Sequence, residues 1–314
     1  KELLLTPTIN YGGGVDASQR ITYDYYQLTS GGYLTIDAST DTNLENDDNE
    51  NWLRDASIIL ETAHNINENY TISIKSALQT SPTYLRRTDQ NNPLNRKSTL
   101  SSTFILNGYE TLEPNDTLIF AIAGYQIVRN NEDNKTTPTA FPKINYTSGN
   151  HDFKGNIFKN HLTFYNLFRD TSTDDHAQQQ QKAAYALKSK NEFYWLYSKL
   201  TFKTELHSQF YNIENRKIGN EDYSGTYSRI FPMTGLFFHT PIVNKKYDLG
   251  VTPFLFGILN SSQPNSNKIS NEDSTDYKYD LLNSSSLNRY SGNDKLDNSK
   301  RLGYGLNMNL KKIH

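Results

Sequence analysis

Leu200-Thr201-Phe202-Lys203-Thr204-Glu205-Leu206-His207-Ser208-Gln209-Phe210 is the stretch on which the fold turns. Leu200, Phe202, Leu206 and Phe210 occupy even positions; Lys203, Glu205, His207 and Gln209 occupy odd ones. A β-strand sends successive side chains to opposite faces, so this segment has one apolar face and one charged face. The strand predicted over 197–213 is far longer than the ~5–6 residues of an ordinary strand. It is long enough for a tilted bilayer crossing, which takes ~9–11 residues.

The same period recurs on either side. Ile21, Tyr23 and Tyr25 alternate with polar neighbours, as do Leu34, Ile36 and Ala38, and Tyr70, Ile72, Ile74 and Leu78. The pattern predicts about 14 strands, near 2–10, 19–28, 32–42, 52–64, 69–80, 98–110, 116–129, 139–148, 157–171, 178–190, 197–213, 226–242, 246–260 and 300–311. Gln178–Ala184 could also open a helix; continuation into Tyr185 and Leu187, then a Lys190-Asn191 turn, favours a strand. Short connections at Gly12–Gly14, Ser30–Gly32 and Asn65–Asn69 carry turn chemistry. Long polar ones lie at 43–51, 82–97, 129–138 and 261–299.

Long alternating strands joined by short turns and long polar loops predict an all-β fold, an antiparallel transmembrane (outer-membrane) β-barrel. Closure has a physical cause: lipid offers no hydrogen bonds, so a sheet in it must satisfy its own edges. A soluble sandwich also alternates, but strand length and the charged second faces favour the barrel. Lys203, Glu205, His207 and Gln209 are the lumen-facing candidates. Tyr11, Trp52, Tyr70, Tyr109, Tyr146, Phe193, Tyr194 and Trp195 are candidates for an interfacial aromatic girdle. Pro7, Pro142, Pro232 and Pro253 fall inside strands and mark expected edges, bulges or bends.

Composition narrows the function. Lys and Arg number 32 against 34 Asp and Glu, a formal net charge of −2. That is no general nucleic-acid binder. With 22 Tyr, 15 Phe and 2 Trp, the 314-residue chain is not a disordered one. It has no cysteine, which excludes disulfides, thiol catalysis and Cys-based metal sites. No catalytic motif is present, and no cofactor or metal is expected. Asp174-Asp175-His176 reads as a solvated turn before a metal site. Glu205 and His207 share a face and could pair for proton transfer or metal binding, but a hydrated barrel wall commonly carries such charges.

Three strings towards the C-terminus belong together. They are Ile269-Ser270-Asn271-Glu272-Asp273-Ser274, then Leu287-Asn288-Arg289-Tyr290-Ser291-Gly292-Asn293-Asp294-Lys295, then Arg301-Leu302-Gly303-Tyr304-Gly305-Leu306. In that order and spacing they resemble the barrel domain of the LPS-assembly (organic solvent tolerance) family LptD. Arg229-Ile230-Phe231-Pro232-Met233-Thr234-Gly235-Leu236 is similar to that family's entry into a barrel strand. Trp52–Asp55 and Thr83–Arg87 are similar to its alphaproteobacterial members.

The resemblance implies transport of lipopolysaccharide (LPS) and its insertion into the outer leaflet of a Gram-negative outer membrane, through a hydrated lumen and a lateral gate. Implied partners are LPS, the periplasmic Lpt bridge, a plug lipoprotein and the barrel-assembly machinery. The implied motif residues are Arg229, Phe231, Pro232, Gly235, Asn271, Glu272, Asp273, Asn288, Arg289, Gly292, Asp294, Arg301 and Gly305. The resemblance also implies that residues 1–314 form one incomplete part of a larger barrel, the jellyroll and closing strands lying elsewhere. A porin or nutrient-receptor barrel is the alternative that periodicity alone allows. The 261–299 connection is expected to be an ordered, lumen-directed or extracellular loop.

Overall fold

The computed structural model describes residues 2–11, 15–27, 32–43, 55–82, 84–88, 91–129, 134–244, 249–275 and 283–310. The Gly12–Gly14 turn, Ser30-Gly31, Trp52 and Thr83 lie outside the described residues. The chain divides into two compact units. One comprises 1–111, 117–144 and 165–171; the other comprises 112–116, 145–164 and 172–314.

In the first unit, strands β1 (Glu2–Tyr11), β2 (Val15–Gln27), β3 (Gly32–Asn43), β4 (Asp55–Asn65), β5 (Tyr70–Gln79), β6 (Thr99–Tyr109) and β7 (Thr117–Ile127) pair in chain order, all antiparallel. Register follows the apolar period: Ile36 faces Leu60, Ile58 faces Leu78, Ile74 faces Phe104 and Phe104 faces Ile122. The connection 82–97, read from sequence as a plain polar loop, contains the short helix α1 (Tyr84–Thr88) and a 3-10 turn, Pro93–Arg96. Tyr84 is fully buried there, and its hydroxyl donates to Ser39 Oγ at 3.0 Å. Two buried anchors, the aromatic Tyr84 and the neighbouring aliphatic Leu85, turn what composition presents as loop into packed structure.

Strand β8 (Thr139–Thr147) has residues in both units. The second unit contains β9 (His151–Phe153), β10 (Asn156–Phe168, whose last residues belong to the first unit), β11 (Gln179–Trp195), β12 (Ser198–Ile218), β13 (Glu221–His239), β14 (Ile242–Asn244), β15 (Leu249–Asn260) and β16 (Lys300–Leu310). The pairs β11–β12, β12–β13, β13–β15 and β15–β16 are antiparallel. The count of about 14 misses β9 and β14, three residues each, too short for a period to show. Residues 178–184 are strand, not helix. β11 runs through Lys190-Asn191 to Trp195 and turns at Leu196, a non-glycine residue at φ 53°.

The second unit's sheet is inside-out relative to a soluble protein. On β12 the charged face is the covered one: Thr201, His207, Gln209, Tyr211 and Ile213 are buried, whereas Phe202, Leu206 and Phe210 are 42–50% exposed. Ile230, Leu236 and Phe238 continue the exposed apolar face on β13, Leu255 and Leu259 on β15, and Leu302, Tyr304, Leu306 and Met308 on β16. From Leu200 to Phe210 this band covers about 33 Å of strand at ~3.3 Å per residue. Tilted by roughly 40°, that is about 25 Å, the height of an outer-membrane barrel's apolar belt. Phe193, Tyr194 and Trp195 are exposed at the β11–β12 turn, just past the band. Tyr109 is also exposed, whereas Tyr146 is half-buried and donates to Glu113 at 3.1 Å.

Pro7, Pro232 and Pro253 keep the register of their ladders. Pro232 faces Leu206 in a continuous stretch of ladder, and the β12–β13 register shifts between Ile213 and Arg216. Pro232 instead stands where the β13–β15 ladder stops at Met233, and its carbonyl accepts from the Ser261 amide at 3.0 Å. The missing donor marks a ladder's end.

Candidate functional site: a loop latched to the charged face

The connection 261–299 packs on the charged face of β11, β12, β13 and β15. Its residues 276–282, with Tyr277 and Tyr279, lie outside the described ones. Register prepares the landing site. Lys182 of β11 stands opposite Tyr211 of β12, and Gln209 of β12 stands opposite Arg229 of β13. All four point to the covered face and are buried.

Lys182 is the centre. Its Nζ donates to Asp273 Oδ2 at 2.9 Å and to Asp294 Oδ1 at 2.8 Å, and the side chains of Lys182 and Asp294 are 0% exposed. The Tyr211 hydroxyl donates to the same Asp294 oxygen at 3.1 Å. The two aspartates then hold each other's backbones. The amides of Glu272 and Asp273 donate to Asp294 Oδ2 at 2.9 and 3.2 Å; those of Asn293 and Asp294 donate to Asp273 Oδ1 at 3.0 and 2.8 Å. Gly292 makes this crossing possible: a Cβ there would lie 2.2 Å from the Asp273 carbonyl oxygen. A buried ion trio is tolerable only when its remaining lone pairs find donors, which these amides supply.

Arg229 forms the second anchor. Nε donates to Gln209 Oε1 at 2.6 Å, Nη1 to Asn265 Oδ1 at 3.0 Å, and Nη2 to the carbonyls of Asn293 and Asp294 at 3.0 and 2.7 Å. Asp297 is the third. It takes Arg289 Nε at 2.6 Å and Arg301 Nη2 at 3.1 Å, while Arg301 also donates to the carbonyls of Ser284 and Ser286. Asn288 ties its own turn, donating to the Gly292 carbonyl at 3.1 Å and accepting from the Asp297 amide at 3.1 Å. Asn271 exchanges two bonds with the Ser274 backbone, and Glu272 accepts from the Ser270 hydroxyl.

Apolar burial completes the latch. Leu287 and Leu296 of the loop join Phe231, Met233, Phe237, Phe256 and Ile258 in one cluster. Gly235 leaves the space for it, since a Cβ there would lie 2.7 Å from a Leu287 methyl. The covered face of β13 and β15 is therefore apolar under the loop rather than polar throughout, because a loop sits on it instead of water.

The family model of LptD, LPS transport system D, matches residues 54–313, a span that takes in the whole latch and the strands beneath it. The chain belongs to the LptD family. It is an LPS transport and assembly protein of the outer membrane. No curated protein matches the sequence. Among solved structures, a bacterial polysaccharide outer membrane secretin is similar at 8% identity with a TM-score of 0.37, over 79% of this chain and 74% of the secretin.

Seen against the LptD family strings, Arg229, Phe231, Gly235, Asn271, Glu272, Asp273, Asn288, Arg289, Gly292, Asp294 and Arg301 come together in one construction. Pro232 and Gly305 do not: Pro232 points to the exposed face, and Gly305 sits opposite Phe254, whose ring lies across it. Of the four lumen candidates, Gln209 joins the latch, donating to the Asn293 carbonyl at 2.9 Å and accepting from Arg229. Glu205 pairs with His207 at 3.0 Å and with Lys188 at 3.7 Å, an ion-paired wall. Lys203 lies over the Phe237 ring, 4.7 Å from its centroid. Asp174 gives its carbonyl to Arg216 at 2.7 Å, and His176 stands 3.5 Å from Glu272. Sequence reading missed Lys182, Tyr211, Asn265 and Asp297.

The latch is expected to weaken in acid. Burial pushes the Asp273 carboxyl up, but Lys182 and its hydrogen bond outweigh that and hold it below the usual range. Asp297 is held low against burial by Arg289, Ser299 and Arg301. Burial prevails at Asp294 and raises it, with Lys182 opposing. A depressed carboxyl stabilises fully above its ordinary value, 3.8, and loses that contribution as pH falls through its folded value. Asp294 has the opposite sign, so two groups act against one. The expected result is that protease cleavage within 261–299 accelerates as pH falls below 3.8, measured as cleavage rate in detergent with an acid-active protease. A flat profile would contradict this.

Proposed function

We propose that the charged face of β11–β13 lines the hydrated path of LPS through an outer-membrane barrel of a Gram-negative bacterium, and that 261–299 is an inward-folded element bounding that path. The observation that carries the reading is the inside-out sheet: apolar side chains exposed over about 25 Å, charged ones covered by a latched loop. A cargo of sugars and phosphates needs a wet, hydrogen-bonding wall, and Asn, Gln and Tyr give contacts weak enough to release it. The acyl chains leave sideways at the lateral gate of the family's barrel. By family membership the periplasmic Lpt bridge delivers the cargo, a plug lipoprotein occupies the barrel, and the barrel-assembly machinery inserts it. The work is translocation, with no bond made or broken, which accords with the absence of a catalytic motif in the sequence.

Deletion of 271–294 from the full-length protein removes both aspartates of the trio and leaves Lys182 buried without its two carboxylates. The expected outcome is a several-fold fall in LPS at the cell surface together with sensitivity to large hydrophobic antibiotics. Normal surface LPS and normal resistance, at normal protein level, would defeat the proposal.

A further inference from the structure

A second feature of the charged face lies away from the latch, towards the β11–β12 turn. There Lys190 of β11 stands directly opposite Lys203 of β12, and Lys199 stands opposite His239 of β13. Like charges facing each other across a ladder destabilise it. Among the described residues one acid pairs with this group: Glu192 bonds Lys190 and, at 2.8 Å, Lys199. Three lysines against one glutamate leave 3 − 1 = +2. Lys203 has no carboxylate within ion-pair distance among the described residues, and its ammonium rests on the Phe237 ring.

Beside these cations runs an aromatic ladder. Phe237 stacks on Phe256 with centroids 6.1 Å apart, Phe256 on Phe254 at 6.4 Å, and Phe254 meets the His239 ring at 6.1 Å. Together they line an open cavity of about 500 Å³. Ligand sites typically measure ~300–1,000 Å³ and combine apolar walls with a few placed polar groups. A patch of apolar rings would suit any hydrophobe, and a patch of lysines any anion. The two side by side suit a molecule with both characters in a small volume.

We propose that this cavity is a binding subsite for a phosphorylated saccharide, the phosphate held between Lys203 and Lys190 and the C–H face of a sugar ring packed on Phe254, the partly exposed ring of the ladder. Charge-assisted bonds to the phosphate relieve the facing lysine pair, of which only Lys190 has a carboxylate partner, and this gives the strand-pairing conflict a function. The aromatic ladder adds the ring recognition that free phosphate cannot use. The inference rests on the transport reading for the origin of its ligand, but binding of a soluble head group requires no transport.

The test is calorimetric titration of the detergent-purified protein with a glucosamine disaccharide 1-phosphate. Parallel arms use the unphosphorylated disaccharide and inorganic phosphate. Wild type is expected to bind the phosphorylated sugar at least tenfold more tightly than either alone. Lys203→Gln should lose about tenfold, Phe254→Leu several-fold, and Lys203→Arg should retain binding. Heat-modifiable electrophoretic mobility checks that each variant is folded. Equal binding of the unphosphorylated sugar, or insensitivity to Lys203→Gln, overturns the site. Equal binding of inorganic phosphate overturns the saccharide half of it. If the site fails while surface LPS still falls on deletion of 271–294, the transport reading stands alone; if binding holds and delivery is normal on that deletion, the reverse is true.

Discussion

Lys182→Met should release the 261–299 segment from the sheet. The substitution keeps the volume and removes the charge, so Asp273 and Asp294 remain with no cation between them. Removing one partner of a buried ion pair costs about 3–5 kcal/mol, because the other charge stays buried and uncompensated. Two carboxylates meet at this lysine, 2.9 and 2.8 Å from Nζ, which places the expected loss at the upper end. Limited proteolysis should find new cleavage sites within 261–299, and the urea midpoint should fall while the strands stay protected. Lys182→Met with Asp273→Asn and Asp294→Asn should recover part of the loss, since neutral amides still accept from the four surrounding backbone amides. An unchanged cleavage pattern in the single variant would show that Arg229, Asp297 and the Leu287 cluster hold the loop unaided.

Leu206→Arg should destabilise the protein by about 2–4 kcal/mol in lipid vesicles, the cost of a charge near the midplane of a barrel's lipid face. Leu206 is 42% exposed, lies near the middle of the Leu200–Phe210 band, and faces Leu187 and Pro232 across its two ladders. Thr226→Arg, on the same face but beyond the band, should cost about 0–1 kcal/mol. Urea unfolding of both variants in vesicles measures the difference. Were the exposed face in water, arginine would be harmless at both sites, so equal midpoints would contradict the lipid-facing assignment.

The strands were legible because their signal is local. Alternation at 200–210 needs no knowledge of partners, and its apolar phase matches the exposed face at Phe202, Leu206 and Phe210. The motif residues of the loop were legible as strings, but their geometry was not. Lys182 lies 91 and 112 residues from its aspartates, inside a Gln-rich stretch that reads as either helix or strand. Nothing in its neighbours tells a latch from an ordinary wall charge. Tyr211 and Asp297 were hidden for the same reason: each gains its role from burial, which period two does not report. Helix α1 was missed because five residues carry too little period to rise above a polar loop, although Tyr84 and Leu85 supply the anchors.

The central claim is that β12 has one face in lipid and the other towards water, and cysteine scanning along it is the most direct measurement. The chain has no native cysteine, so each introduced thiol reports alone. With the protein in vesicles, cysteines at 202 and 206 should react with a membrane-soluble maleimide and be protected from a charged, water-soluble one. Cysteines at 203 and 205 should show the reverse. Equal reaction of all four with the water-soluble reagent would contradict the account.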